Sequence, residues 1–277
     1  MPFTQAANAS PQPIGALLRE WRQRRRLSQL NLALDADIST RHLSYVETGR
    51  ATPSRAMVLH LAEQLEVPLR ERNTLLTAAG YAPIYRERAL DDPALQAARE
   101  AVELVLRAHE PYPALAVDRH WNMLSHNRPV LLMMDGIPPE LLQPPINVLR
   151  LSLHPQGLAP KIVNLAAWRT HLLARLRHQI AVSADPVLAQ LLEELQAFPA
   201  PPDNRAHEAI APNAVTIPLQ LRTAAGVLSF ISTITVFGTP VDITLSELAL
   251  ETFFPADTET MQALRHLSDG QAAAQQP

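Results

Sequence analysis

A polar stripe on one short predicted helix is the part of the chain whose residue types most clearly indicate chemistry. Helical spacing places these residues on one side: Thr40, Arg41, Ser44, Tyr45 and Thr48. The opposite side carries Leu43 and Val46, which suit packing against a core. An ordinary surface helix would more often carry Glu and Lys at these positions than three hydroxyl residues, an arginine and a tyrosine. Such a surface suits direct contact with base edges in the DNA major groove.

Two serines predict the elements that position this stripe. Ser28 and Ser39 each precede a short apolar-periodic run, and a serine at such a position caps the first amide groups of a helix. We therefore predict helices over 29–36 and 40–48, with a bend at 37–38. Gly49 is expected to end the second helix. Two short helices joined by so tight a turn form a helix-turn-helix.

The segment LSQLNLALDADISTRHLSYVETGRATPS (27–54) resembles the helix-turn-helix of the XRE and phage-repressor class. The longer segment ISTRHLSYVETGRATPSRAMVLHLAEQLEVPLRERNTLLTAAGYAP (38–83) is similar to one subgroup, the MmyB-like regulators. In that subgroup the domain precedes a PAS-like ligand-binding domain. The turn usually has Gly where this chain has Asp37, and Asp tolerates the left-handed backbone better than most residues.

We predict two kinds of DNA contact and one structural ion pair. Arg41 should contact a base, with guanine as the expected partner, whereas Gln29 and Arg50 should hold phosphates. The resemblance also implies that Arg22 lies against Glu47 at the exit of the recognition helix, where the two should form an ion pair. The predicted DNA-binding set is Gln29, Ser39, Thr40, Arg41, Ser44, Tyr45, Thr48 and Arg50.

The composition is that of a globular protein with about two domains. The chain has 277 residues, of which 47% are hydrophobic and 18% charged. Residues 1–90 carry a net charge of +4, whereas the remainder carries −7. A basic first part joined to an acidic remainder is typical of a small DNA-binding domain attached to a second domain.

The sequence contains no signature of catalysis or of a metal site. It has no cysteine, no glycine-rich phosphate loop, no GxSxG or HExxH motif, and no histidine pair at i, i+4. We therefore expect no catalytic residue, no metal and no cofactor. A basic-then-apolar signal pattern and an apolar run of about 18 residues are also absent, so the cytoplasm is the expected location and a membrane partner is not expected.

The predicted organisation is an all-α helix-turn-helix domain followed by an α+β PAS-like domain with a five-stranded antiparallel sheet. The first domain covers 14–80 with five helices, 81–93 is a linker, and the second domain covers 94–267. Residues 1–12 and 268–277 are expected to be disordered. Three further segments resemble the MmyB-like C-terminal domain: PYPALAVDRHWNMLSHN (111–127), NVLRLSLHPQGLAPKIVNLAAW (147–168) and FGTPVDITLSELALETFFPAD (237–257).

Alternating residues predict two early strands and three late ones around a helical middle. The early strands are expected at 114–117 and 121–124, and the helices at 94–108, 146–153, 160–180 and 185–198. In the late strands Val215, Phe230, Ile234 and Val236 are expected to point inward, and a change of phase predicts a bulge or bend near Ser246. A polar stripe on the central helix, Asn164, His171, Arg175 and His178, is interpreted as hydrated surface.

The second domain is expected to enclose a long apolar cavity between a sheet face and covering helices. The predicted ligand-binding residues are Asn147, Leu149, Arg150, Leu153, His154, Trp168, Phe230 and Ile234. Arg150, with His154, would hold the polar end of the ligand, although ordinary capping and surface bonds are an alternative for Asn147, Arg150 and His154. The MmyB-like resemblance implies a non-covalently bound fatty acid or a similar apolar molecule.

These patterns predict a regulator that binds double-stranded DNA as a homodimer and senses a small apolar ligand. The two recognition helices of a dimer would lie about 34 Å apart along the duplex. Two alternatives stay open from the sequence. The C-terminal domain could serve only for dimerisation, or the chain could be an enzyme that carries a helix-turn-helix, for which no acid–base pair is visible.

Overall fold

Serine caps begin three of the five helices of the N-terminal unit. In the computed structural model, which describes residues 12–199, 217–238, 240 and 242–273, the hydroxyls of Ser28, Ser39 and Ser54 each accept a hydrogen bond from an amide of the following first turn. The helices are α1 Ile14–Arg24, α2 Gln29–Asp35, α3 Thr40–Glu47, α4 Arg55–Gln64 and α5 Leu69–Ala78. The two helices whose bounds were predicted, α2 and α3, begin at the predicted residues and each end one residue earlier than predicted.

The turn between α2 and α3 has the left-handed residue that the sequence predicts. Asp37 has φ +50°, and the amide of Ile38 donates to the Ala33 carbonyl at 2.9 Å. Gly49, with φ +73°, ends α3. The aliphatic residues that face away from the polar stripe, Leu43 and Val46, are fully buried in the core of this unit.

Helix α1 lies unusually close to the C-terminal end of α3. A Cβ atom at Gly15 would lie 2.3 Å from the Val46 carbonyl oxygen and 2.7 Å from that of Glu47. Since both obstructing atoms belong to the backbone, a side chain at this position would push the helices apart. The absence of a side chain at Gly15 therefore allows α3 to pack this closely against α1.

The second unit is an α+β fold built on one curled sheet. Its strands are β1 Ala114–Val117, β2 Met123–His126, β3 Leu219–Thr223, β4 Gly226–Val236 and β5 Ala249–Pro255. Its helices are α6 Gln96–Ala108, α7 Val130–Met134, α8 Val148–Leu153, α9 Leu165–Ser183, α10 Pro186–Ala197, α11 Ile243–Ser246 and α12 Thr258–Ala273. Three short 3-10 helices lie at Pro93–Leu95, directly before α6, at Pro139–Leu142 and at Ala159–Lys161.

The sheet order is β2-β1-β5-β4-β3, and every pair is antiparallel. Residues of β1 alternate between two cores: Leu115 and Val117 join the large cluster beneath the helices, while Ala114 and Ala116 pack with residues of α6. This arrangement confirms the predicted fold class, a helical domain followed by an α+β domain with a five-stranded antiparallel sheet.

Three local predictions in the second unit need correction. The second strand begins at Met123 instead of residue 121, because Trp121 has φ +69° and belongs to the turn. The predicted bulge near Ser246 is the short helix α11. Ile234 and Val236 are exposed instead of pointing into the core. They lie near the C-terminal end of the eleven-residue strand β4, where successive residues, and therefore both faces of the strand, are exposed.

Some predictions concern residues outside the described part of the chain. Val215 is one of these, as are most of the ends expected to be disordered, although α12 continues to Ala273. Within the described ranges, no helix combines the length and the apolar character needed to cross a membrane.

Candidate nucleic-acid interface and ligand cavity

The polar face of α3 presents one arginine held by its own helix. Arg41 is exposed, its Nε donates to the Tyr45 hydroxyl at 2.9 Å, and its guanidinium carbon lies 5.4 Å from the centre of the Tyr45 ring. A cation packed against an aromatic ring one helical turn away loses part of its rotamer freedom before any ligand arrives. Arg41 is therefore the side chain of the stripe best prepared for a directed contact.

The hydroxyls of the stripe divide into engaged and outward groups. Ser39 accepts from the amide of His42 at 3.1 Å, so its oxygen caps α3. Thr48 donates to the Ser44 carbonyl at 2.7 Å, which places this hydroxyl against its own helix. Thr40 and Ser44 are partly exposed on the same face, and Arg50 is exposed just beyond the helix end. Their roles in DNA contact stay predictions.

Arg22 and Glu47 form a bidentate ion pair between α1 and the end of α3. Arg22 Nε donates to Glu47 Oε1 at 2.6 Å and Nη2 donates to Oε2 at 2.9 Å, while Nη1 donates to the Leu27 carbonyl. The side chains are 10% and 1% exposed. The hydrogen bonds to Glu47 raise the pKa of Arg22, although burial opposes this shift.

Gln29 belongs to the same cluster. Its Nε2 donates to Glu47 Oε2 at 2.7 Å, and the side chain is partly buried. A predicted phosphate contact would therefore use the second amide hydrogen of Gln29 or its backbone, because the first hydrogen is directed at Glu47. The sequence did not indicate this bond, since it depends on how α2 packs against α3.

An apolar cavity of about 50 Å³ lies inside the second unit, beneath the sheet and between α7, α8 and α9. Its lining consists of Leu115, Val130, Met133, Met134, Val148, Leu149, Leu151, Ser152, Leu158, Trp168, Leu172, Arg175, Leu219, Glu251 and Phe253. Two predicted ligand residues, Leu149 and Trp168, are among them. Apart from one serine and one Arg–Glu pair, this surface is made of apolar side chains.

The other predicted ligand residues do not line this cavity. Asn147 caps α8 by accepting from the Arg150 amide, and it donates to the His120 carbonyl. Arg150 pairs with Glu194 on α10 through bonds of 2.5 and 2.8 Å, which also raise its pKa. His154 packs edge-on against Phe198, with ring centres 5.3 Å apart. The capping and surface bonds considered for these three residues are thus what the structure contains.

Three apolar residues of the predicted set are also displaced from the cavity. Leu153 and Phe230 are buried in the same cluster, and Phe230 packs edge-on against the lining residue Phe253 with ring centres 6.2 Å apart. Ile234 is paired in register with Glu251 but is 42% exposed. Alternation along β4 identifies the correct face, whereas it cannot show where the covering helices end.

The polar group on the cavity wall is an ion pair that sequence reasoning missed. Arg175 Nη1 donates to Glu251 Oε1 at 3.0 Å, and the two side chains are 18% and 5% exposed. The Arg175 guanidinium also lies 4.2 Å from the Trp121 ring centre, and its Nε has no hydrogen-bond partner in the described part of the chain. The stripe containing His171 and Arg175 is therefore partly buried rather than hydrated surface. Glu251 is the single acidic residue of the otherwise largely apolar strand β5, and this isolated charge was the feature of the sequence that could have indicated a buried ion pair.

The lowered pKa of His171 predicts how the stability of this unit depends on pH. Burial lowers its pKa, the nearby charge of Arg175 lowers it further, and Glu251 opposes the shift. Both folded and unfolded chains hold a neutral imidazole above its ordinary pKa of about 6.5. Below that pH the unfolded chain binds a proton that the folded chain resists, so the free energy of unfolding should fall.

Denaturation of the second unit at pH 7.5 and pH 5.5 measures this effect. His171→Gln should reduce the loss of stability between the two pH values. His178→Gln is the matched control, since His178 is exposed on the same helix. An equal pH dependence in the wild type and His171→Gln would contradict the prediction.

Comparison with known families covers both units. Residues 98–267 match the family model described as the MmyB-like transcription regulator ligand binding domain, and residues 13–75 match a helix-turn-helix domain model. No curated protein is similar enough to count as a match. Among the described residues, no group of three or more His, Asp or Glu side chains is arranged to hold a metal ion.

Proposed function

We propose that this chain, which belongs to the MmyB-like transcription regulators, binds a specific DNA sequence through α3 and alters that binding when a long apolar molecule occupies its second unit. The observation that carries the DNA half of this proposal is the Arg41 guanidinium, held by Tyr45 on the exposed polar face of α3. A guanidinium can donate two hydrogen bonds to a guanine edge in the major groove. The regulator would act in the cytoplasm.

A homodimer would give this regulator a sufficiently long binding site. One recognition helix reads only a few base pairs, so two helices about 34 Å apart along the duplex are the expected arrangement. A ligand can shift such a dimer between DNA-binding states only if it binds one state more tightly than the other. Sedimentation of the purified chain with and without extracted ligand tests the dimer.

The ligand half of the proposal is supported by the lining of the cavity. Aliphatic, methionine and aromatic side chains suit an acyl chain, whose burial contributes about 0.8 kcal/mol per methylene before ordering costs. A fatty acid is the proposed ligand. The cavity of about 50 Å³ is well below the roughly 150 Å³ that accommodates a molecule as small as benzene, so a longer chain needs the wall to open. Met133 and Met134 on α7 are the flexible side chains in that wall.

Gentle purification from the host followed by native mass spectrometry and organic extraction tests the ligand. A fatty acid in near-stoichiometric amount is the expected result. A polar molecule in the extract would remove the proposed ligand class while leaving DNA binding intact. An empty protein that still dimerises would favour the alternative in which the second unit serves only for dimerisation.

Arg41→Ala should weaken binding to the selected operator by about 1–3 kcal/mol and relax preference at one base pair. The physical reason is that a base-edge contact discriminates between sequences, whereas a phosphate contact does not. Site selection from a random DNA library, performed with the wild type and the variant, measures the preference. An unchanged preference would show that another residue of α3 reads the DNA.

Arg50→Ala is the matched comparison, because Arg50 is exposed beyond the end of α3 and is predicted to hold a phosphate. Its loss should weaken binding to all sequences alike and reduce the slope of log K against log salt by about one unit. If Arg50→Ala instead changes the selected sequence, the two roles are assigned the wrong way round.

A further inference from the structure

We propose that the polar head of the bound molecule lies in an outer cleft beside Lys161, and that its chain passes Met133 into the inner cavity. This inference rests on the proposed ligand-sensing function and assigns the orientation of the ligand within it. The outer cleft has a volume of about 250 Å³ and lies between the end of α7, Lys161, the β3–β4 turn and Leu267 of α12.

Met133 connects the two spaces. This residue is buried and lines both the inner cavity and the outer cleft. Methionine is unbranched and has three rotatable bonds, so a change of rotamer can open a passage without a backbone movement. The inner cavity of about 50 Å³ is too small for a long chain, and the cleft supplies the missing room through this wall.

The charges of the cleft suit an anionic head. Lys161, the only lysine in the chain, and the exposed Arg222 on the β3 side both line the cleft. Lys161 Nζ donates to the Asp135 carbonyl oxygen, and in the described part of the chain no carboxylate forms an ion pair with either cation. Asp135 also lines the cleft, so these three charged groups leave one net positive charge.

The wall of the inner cavity has the opposite character. Arg175 in that wall is already paired with the buried Glu251, so the inner cavity carries no net charge. A carboxylate placed beside Arg175 would have to displace Glu251 and leave that carboxylate buried without its cation. The apolar end of the ligand therefore lies inside, and its carboxylate lies at Lys161 and Arg222.

The test uses the delipidated full-length protein with two probes that share one chain, dodecanoate and dodecanol. Calorimetric titration of the wild type should show tighter binding of dodecanoate. The double variant Lys161→Gln/Arg222→Gln should weaken dodecanoate binding about tenfold and leave dodecanol binding unchanged, because only the carboxylate uses the two cations. Arg150→Gln is the control, since Arg150 pairs with Glu194 and lines neither space.

A second pair of variants tests the passage. Met133→Trp should weaken the binding of both probes because the larger side chain blocks the passage. Met133→Leu should leave the binding of both probes unchanged. If the double cation variant binds dodecanoate as the wild type does, the proposed head position is overturned although fatty acid binding stands. If the wild type binds neither probe, the proposed ligand class fails and this inference fails with it.

Discussion

Replacement of Arg22 by Ala should lower the free energy of unfolding of the N-terminal unit by about 3–5 kcal/mol. The substitution leaves the Glu47 carboxylate, of which only 1% is exposed, without its bidentate partner. Gln29 still donates one hydrogen bond to Glu47, but a neutral amide cannot replace the lost charge. Glu47→Ala should produce a loss of similar size because the buried guanidinium is then unpaired.

Hydrogen exchange of peptides from α1 and α3, followed across a denaturant series in the full chain, measures this loss locally. Arg24→Ala is the matched control, because Arg24 pairs with Glu20 on the exposed surface of the same helix and should contribute about 0.3–0.5 kcal/mol. Additive effects below 1 kcal/mol in the double-mutant cycle of Arg22 and Glu47 would show that the pair does not fasten α1 to α3.

Arg175→Met should destabilise the second unit by about 3–5 kcal/mol for a related reason. Methionine keeps the apolar packing against Trp121 but removes the charge that faces the buried Glu251. The double variant Arg175→Met/Glu251→Gln should recover most of the loss, since it leaves no unpaired charge.

Protection of α9 and β5 against hydrogen exchange measures the predicted loss of stability and its recovery in the double variant. Arg150→Met provides the comparison within the same unit, because the Arg150–Glu194 pair is more exposed and should contribute less than about 1 kcal/mol. Equal destabilisation by Arg175→Met and Arg150→Met would mean that burial of the Arg175–Glu251 pair has no energetic consequence.

The N-terminal unit could be predicted closely because local sequence determines its elements. Ser28 and Ser39 fix where two helices begin, and Asp37 supplies the left-handed turn between them. The sheet of the second unit could likewise be predicted, because alternation identifies strands and the PAS-like resemblance implies their order. These features depend on neighbours in the chain or on a family pattern.

The polar contacts of the second unit could not be predicted in the same way. The distance along the chain from Arg175 to Glu251 is 76 residues, and Arg150 meets Glu194 only because α8 packs against α10. A helical wheel assigns each arginine to a face, but only the packed fold determines which face is covered. The inward assignment of Ile234 failed for the same reason, since β4 extends beyond its cover.

The backbone contact at Gly15 has a consequence for the thermodynamics of DNA association. With no side chain between α1 and the end of α3, the recognition helix has little freedom to tilt or slide before it meets the duplex. Little entropy is then lost in ordering the protein backbone when the complex forms. The unfavourable entropy of specific binding should therefore come mainly from the DNA and from the exposed side chains, and a side chain at Gly15 should weaken DNA binding by pushing α1 and α3 apart.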